Sequence, residues 1–339
     1  MSDLVSTRSN FSSGPARVVV VLMLGLAVLG GAMLFALSVG PTDVDLARAW
    51  NDGASADHAK VFGLRLPRSI GAAVSGAALA LAGLVFQSLL KNPLASPYVL
   101  GVSAGGAFGA VTALSAGWWL VRPCAFTGAM VALLLVMGAA RAGGGGNTAL
   151  LLAGVVVNAL FGAGVLFVNV VAEPRNQERI LRWMVGGFDG QYAPMELLLS
   201  ACGVVLVLLL LLLRARELDL LALGEHLAAE AGVDVARMRL QLLLLATLLA
   251  ALAVVLAGPI GFVGLLVPHA LRLCFGAEHR LLVPAALGFG GAFLVLVDAC
   301  SQVLLAVPLP AGVLTAVLGG PLFLLLLARG GRSKALLDG

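Results

Sequence analysis

The chain is 339 residues long, 60% hydrophobic and 11% charged, with a mean hydropathy of +1.06. That leaves too little polar surface to cover a soluble fold of this length, and the long unbroken apolar runs exclude a transmembrane β-barrel, which alternates residue by residue. The formal net charge of +4 comes from basic residues scattered between apolar runs, so it marks orientation in a bilayer and not a nucleic-acid surface.

A helix needs about 20 apolar residues to cross the hydrocarbon core. In chain order the runs predict spans at 18–39, 69–90, 98–116, 123–140, 149–172, 193–213, 240–257, 260–275, 283–306 and 311–328. The fold class is therefore an all-α polytopic membrane protein of about ten helices, a single domain over 1–339. Arg8 and Arg17 precede the first run, which exceeds a signal-peptide core and reads as a retained helix. The eighth run is the most interrupted, by Pro259, Gly261, Gly264 and Pro268.

An even number of spans puts both termini on one side. With the N-terminus inside, thirteen Lys and Arg residues fall inside and eight outside, which favours cytoplasmic termini. The eight outside are Arg48, Lys60, Arg65, Arg68, Arg122, Arg175, Arg179 and Arg182. Orientation alone gives no reason for so many.

The stretch QSLLKNPLASPYVLGVSAGG (87–106) breaks the apolar pattern. Asn92-Pro93 ends the second span, because proline disfavours helical geometry in the residue before it, and Pro97 suits the first turn of the next helix. A tight hairpin turn results, with Lys91 on the inner side. The longest inner connection is 214–239, where charged residues alternate with Leu220, Leu221, Leu223 and Leu227. Gly224 and Gly232 punctuate it, so it reads as two short amphipathic helices and a turn, with Asp234 capping the helix that follows.

Chemistry-bearing groups are sparse. Cys124, Cys202, Cys274 and Cys300 lie in or beside apolar runs without metal-ligand spacing and read as small buried hydrophobes. Gln87 and Asn158 suit interhelical hydrogen bonding. Asp298 and His269 are the acid and base that a proton relay would need. GGGGNTALL (143–151) has the glycines of a phosphate loop but lacks its lysine, so this chain does not hydrolyse ATP itself. AGLVFQSLLKNP (82–93) and AGPIGFVGLLVP (257–268) form a faint internal echo in helices of opposite direction.

The segment LRLPRSIGAAVSGAALALAGLVFQSLLKNPLASPYVLGVSAGGAFGA (64–110) resembles the signature of the permeases of bacterial ABC importers for iron-siderophores, haem and vitamin B12. LLLAGVVVNALF (150–161), LRWMVGGF (181–188), LALGEHLAAEAGVDVARMR (221–239), GPIGFVGLLVPHALRL (258–273) and LPAGVLTAVLGGPLFLLLL (309–327) continue the resemblance in the family's order. It implies a type II ABC importer permease fold in the bacterial inner membrane. It also implies a second permease copy, two cytoplasmic ATPases that use the ATP, and an external substrate-binding protein. No cofactor or metal belongs to the permease. By the same resemblance, Asn92, Pro93, Leu94 and Ala95 form a cytoplasmic gate, with Asn147 and Thr148 a looser second gate segment. Leu221, Leu223, Gly224, Glu225, Leu227, Ala228 and Gly232 fall in the segment that couples to the ATPase. Arg65 and Arg68 are the arginines that meet acidic residues of the binding protein. Where the family has a third docking arginine, this chain has Gln302, four residues after Asp298. An ion-coupled secondary transporter without ATPases, using Asp298, is the alternative from another class.

Overall fold

A computed structural model describes residues 14–144, 146–305 and 307–335, and no strand occurs among them. Helix α1 (Pro15–Ser38) is followed by the short α2 (Leu46–Asn51) and α3 (Ala56–Lys60), and a π-helical turn (Val61–Arg65) leads directly into α4 (Leu66–Leu89). A 3₁₀ turn (Pro97–Leu100) precedes α5 (Val102–Ser115), and α6 (Val121–Ala142), α7 (Gly146–Val171), α8 (Pro174–Val185) and α9 (Pro194–Leu213) follow. Then come α10 (Ala215–Leu223), α11 (Glu225–Glu230), α12 (Val235–Ala257), α13 (Val263–Phe275), α14 (His279–Val303) and α15 (Ala311–Ala335).

Ten of these helices occupy the ten apolar runs. Seven are long and apolar enough to cross a bilayer, while α5, α13 and the apolar part of α15 are shorter. At about 1.5 Å per residue, the 14 residues of α5 and 13 of α13 rise roughly 20 Å, about 10 Å less than the hydrocarbon core. The backbone explains the deficit. Pro97 opens a separate 3₁₀ turn instead of α5, which begins only after Gly101 at φ 69°. Helix α13 begins after Phe262 at φ 67°.

Helix α4 is the hub. Every residue from Ser75 to Leu89 is buried, enclosed by α12, α13 and α14. Small residues permit this approach: a Cβ on Gly76 would stand 2.3 Å from the Gly290 carbonyl of α14, and one on Gly83 only 1.8 Å from the Gly264 carbonyl of α13. The two halves of the internal echo therefore cross each other at Gly83 and Gly264.

Apolar faces of α1, α7 and α9 point outward, through residues such as Met23, Leu160 and Leu206. Cys202, Cys274 and Cys300 are exposed as well, which corrects their reading as buried hydrophobes. In a bilayer an outward thiol leaves an apolar core for an apolar solvent, so hydrophobicity does not bury it. Helix α8 is a second departure, since its sequence reads as part of a connection. Its geometry comes from Pro174 at the first turn and from the pairing of Glu178 with Arg182 one turn on, at 2.6 Å.

Candidate functional sites at the two ends of the bundle

At one end α4 stops beside the Asn92 turn. Lys91 adopts φ 49°, and the Asn92 side-chain oxygen accepts the Leu94 amide at 2.9 Å, so the turn is closed locally. Leu94 is exposed and Ala95 buried. Directly before the turn, Gln87 donates to the carbonyls of Gly264 at 3.2 Å and Leu265 at 3.4 Å, and accepts from Arg272. The reason lies four residues beyond Gly264. Pro268 has no N–H, so the Gly264 carbonyl loses its helical donor, and the α4 amide supplies one.

Ser88, the next residue, meets the ring of His279 at 2.6 Å. On its other side His279 meets Asp219 Oδ1 at 2.6 Å through Nδ1, and donates its backbone N–H to the same oxygen at 3.0 Å. Asp219 belongs to α10, so the segment 214–239 reaches the end of α4 through one imidazole. That segment forms the two short helices expected of it. Leu221 and Ala228 are buried against the body, whereas Leu223 and Leu227 are 70% and 52% exposed. Gly232 turns the chain at φ 86°, and Asp234 caps α12 by accepting the Arg237 amide at 3.0 Å. Arg239 of α12 donates to the Asn147 side chain and lies 3.7 Å from Glu225. Asn147 is thus joined to α11, while Thr148 is exposed and makes no described polar contact.

At the opposite end, Arg65 and Arg68 are drawn inward. Arg65 is only 9% exposed and donates to the carbonyls of Leu37, at 2.7 Å, and Thr42. The π-helical turn carries it there, to the end of α1. Arg68 forms a two-pronged pair with Asp298 of α14, at 2.7 and 2.9 Å, with the arginine 21% and the aspartate 4% exposed. Gln302 donates to the same carboxylate at 3.4 Å. The structure brings Arg68 and Gln302 together around Asp298 and keeps Arg65 apart. Neither guanidinium is a free charge, because burial at a helix junction requires a partner for each. Asp298 is a structural anion of this cluster. His269 makes no polar contact among the described residues, whereas Asp298 is held by Arg68. Asn158 likewise makes no polar side-chain contact among the described residues and stands on the outward face of α7.

A cavity of about 600 Å³ opens at this end, walled by Arg68, Arg122, Arg179, Arg182, Asp189 and Glu196 among others. Arg122 pairs with Glu196 and lies 4.7 Å above the Tyr192 ring. Tyr192 donates to the Leu256 carbonyl at 2.8 Å. Burial, reinforced by Asp189, pushes its phenol above the ordinary value, so it remains a neutral donor.

Comparison with known proteins agrees with this architecture. The FecCD transport family matches residues 26–329. The cobalamin import system permease protein BtuC of Halobacterium salinarum is 42% identical over 270 residues, covering 78% of this chain and 72% of that protein. The hemin transport system permease protein HmuU of Yersinia pestis is 35% identical over 325 residues, covering 91% and 94%. A solved structure described as an inward-facing, metal-chelate type ABC transporter superposes with a TM-score of 0.81 at 30% identity, over 92% of this chain and 99% of that one.

Proposed function

This chain belongs to the FecCD transport family, and from that membership we propose that it is the permease subunit of an ATP-driven importer carrying an iron chelate (ferric siderophore or haem) or cobalamin across the bacterial inner membrane. The observation that carries the reading is the α10–α11 segment, which presents exposed Leu223 and Leu227 beside buried Leu221 and Ala228. Two outward leucines on a charged, punctuated hairpin suit a groove on a soluble partner. That partner is an ATPase, present as two copies, and its hydrolysis powers a chain that has no phosphate-binding lysine of its own. On this reading the α10–α11 end and both termini are cytoplasmic, and the Asn92 turn and Asn147 gate the inner mouth.

The α8 end then faces the substrate-binding protein. Arg65, only 9% exposed and tied to two carbonyls, offers little surface for docking. The exposed edge of Arg68 and the outward arginines of α8 take that role, steering an acidic partner and fixing its register. Gln302, half-buried, supports Asp298 through a 3.4 Å contact. A second permease copy covers the α7 face, where Asn158 places among apolar residues a polar amide that lipid alone would solvate poorly.

The test is reconstitution with the partner ATPase in liposomes, scoring uptake of ferric siderophore, haem and cobalamin with the binding protein present. ATP-dependent uptake of one cargo is expected. Uptake that ignores ATP and follows a proton gradient would overturn the reading in favour of a secondary transporter.

A further inference from the structure

Two polar chains run from the short helices α10 and α11 into the helix ends that carry the gate segments. The first is Asp219–His279–Ser88. Asp219 accepts both the backbone N–H of His279, at 3.0 Å, and ring Nδ1, at 2.6 Å. Nε2 meets Ser88 Oγ at 2.6 Å, and Ser88 lies 2.9 Å from the Leu84 carbonyl one turn back. From there the connection to the gate is backbone. Lys91 N–H donates to the Ser88 carbonyl at 3.4 Å and Asn92 N–H to the Gln87 carbonyl at 3.2 Å. The second chain is Glu225–Arg239–Asn147, with the acid 3.7 Å from the guanidinium and the amide oxygen accepting from it.

We propose that these chains are struts: Asp219–His279–Ser88 positions the Asn92 turn, and Glu225–Arg239–Asn147 positions the start of α7, each in response to α10–α11. The inference rests on the reading of α10–α11 as the ATPase-coupling segment. His279, Asp219, Ser88 and Arg239 are the new positioning residues.

The donor and acceptor inventory supports a mechanical role. An ionised carboxylate only accepts, so Nδ1 must donate to Asp219. With a neutral ring, Nε2 accepts from the Ser88 hydroxyl. With a protonated ring, Nε2 donates and Ser88 turns its proton to the Leu84 carbonyl. The three residues stay linked in both cases, so the chain holds distances whether the ring is neutral or protonated. His279 and Ser88 are buried, where a hydrogen bond is directional and costly to leave unmade. Apolar contacts slide past one another, whereas these transmit a displacement of α10 to the last turn of α4. The end of α4 is also clamped to α13 through Gln87, so it moves as a unit with the turn.

The experiment uses the whole importer in liposomes and reads cargo imported per ATP hydrolysed, with co-purification of the ATPase as a control for assembly. Ser88→Ala deletes one oxygen, and Asp219→Ala deletes the carboxylate. Each should lower uptake per ATP by about fivefold or more, the factor set by one buried hydrogen bond. The double variant should be no worse than the worse single, because the residues act in series. Asn147→Ala should multiply with either, because it lies in the other chain. Asp219→Asn, which keeps an acceptor for Nδ1–H, should recover most of the loss, whereas a general packing defect would not distinguish it from alanine. Wild-type uptake per ATP in both Ser88→Ala and Asp219→Ala overturns the proposal, as does full additivity of the pair. Leu227→Glu separates the underlying reading: if the ATPase still binds and couples, α10–α11 is not the coupling segment. If Leu227→Glu uncouples while Ser88→Ala and Asp219→Ala do not, only the struts fail.

Discussion

Replacing Gln87 with leucine tests whether α4 completes the backbone of α13. The side chain donates to two carbonyls, at 3.2 and 3.4 Å, and accepts from Arg272. Leucine keeps the volume and removes all three contacts. Hydrogen bonds between membrane helices are worth roughly 0.6 kcal/mol on average, and a bond to a charged group about 1.5–3 kcal/mol. The expected destabilisation is therefore about 2–4 kcal/mol, read as a shift in reversible unfolding in detergent. A second substitution isolates the carbonyl. Pro268→Ala restores an N–H that bonds to Gly264 within α13, so the donor from α4 becomes redundant. In that background Gln87→Leu should cost roughly 1 kcal/mol less than in the parent. Strict additivity of the two changes, or a Gln87→Leu variant as stable as the parent, would refute this account of the α4–α13 contact.

Asp298→Ala leaves the Arg68 guanidinium without its carboxylate and should destabilise by about 3 kcal/mol, the low end for a broken buried pair because Arg68 keeps an exposed edge; thermal unfolding checks it, and Asp298→Asn should lose less. Gly83→Ala places a methyl 1.8 Å from the Gly264 carbonyl, which should cost about 1–3 kcal/mol or prevent folding; expression and monodispersity report it. Arg179→Glu should weaken capture of the binding protein by several-fold with a reduced salt dependence, without altering ATPase co-purification, and a binding titration at two ionic strengths measures it.

Hydropathy placed all ten apolar helices because each must satisfy its own backbone in lipid, and that requirement is local. The Asn92-Pro93 stop, the Asp234 cap and the Gly232 turn were readable for the same reason. Partnerships were not. Arg68 finds Asp298 across 230 positions and Ser88 finds His279 across 191, and no periodicity encodes which helix faces which. His279 carries a ring that reads as one more polar residue near a helix start until α10 is laid beside it. The arginines at this end stood out in the sequence as surplus to orientation. Their internal partners were hidden, because an acid buried within an apolar run looks like a functional carrier until its counter-ion is known. Helix α8 escaped notice because its stability comes from a first-turn proline and one ion pair, signals weaker than a 20-residue apolar run.

The burial of α4 has a consequence for how the protein is made. Residues 75–89 are buried in the finished fold, yet the helix is synthesised second among the spans and its enclosing partners α12, α13 and α14 come seventh to ninth. The Gln87 amide must wait for Gly264, 177 residues later, which at about 5–20 residues per second is roughly 10–35 s. For that interval a helix with an unpaired amide and an unpaired Arg68 sits at the insertion site with only α1, and later α9, among the spans to pack on. Its apolar composition is thus a requirement of biogenesis more than of the native state. Ribosome-bound chains ending before residue 258 should remain crosslinked to the insertion machinery through α4, and chains long enough to expose α14 should be released from it.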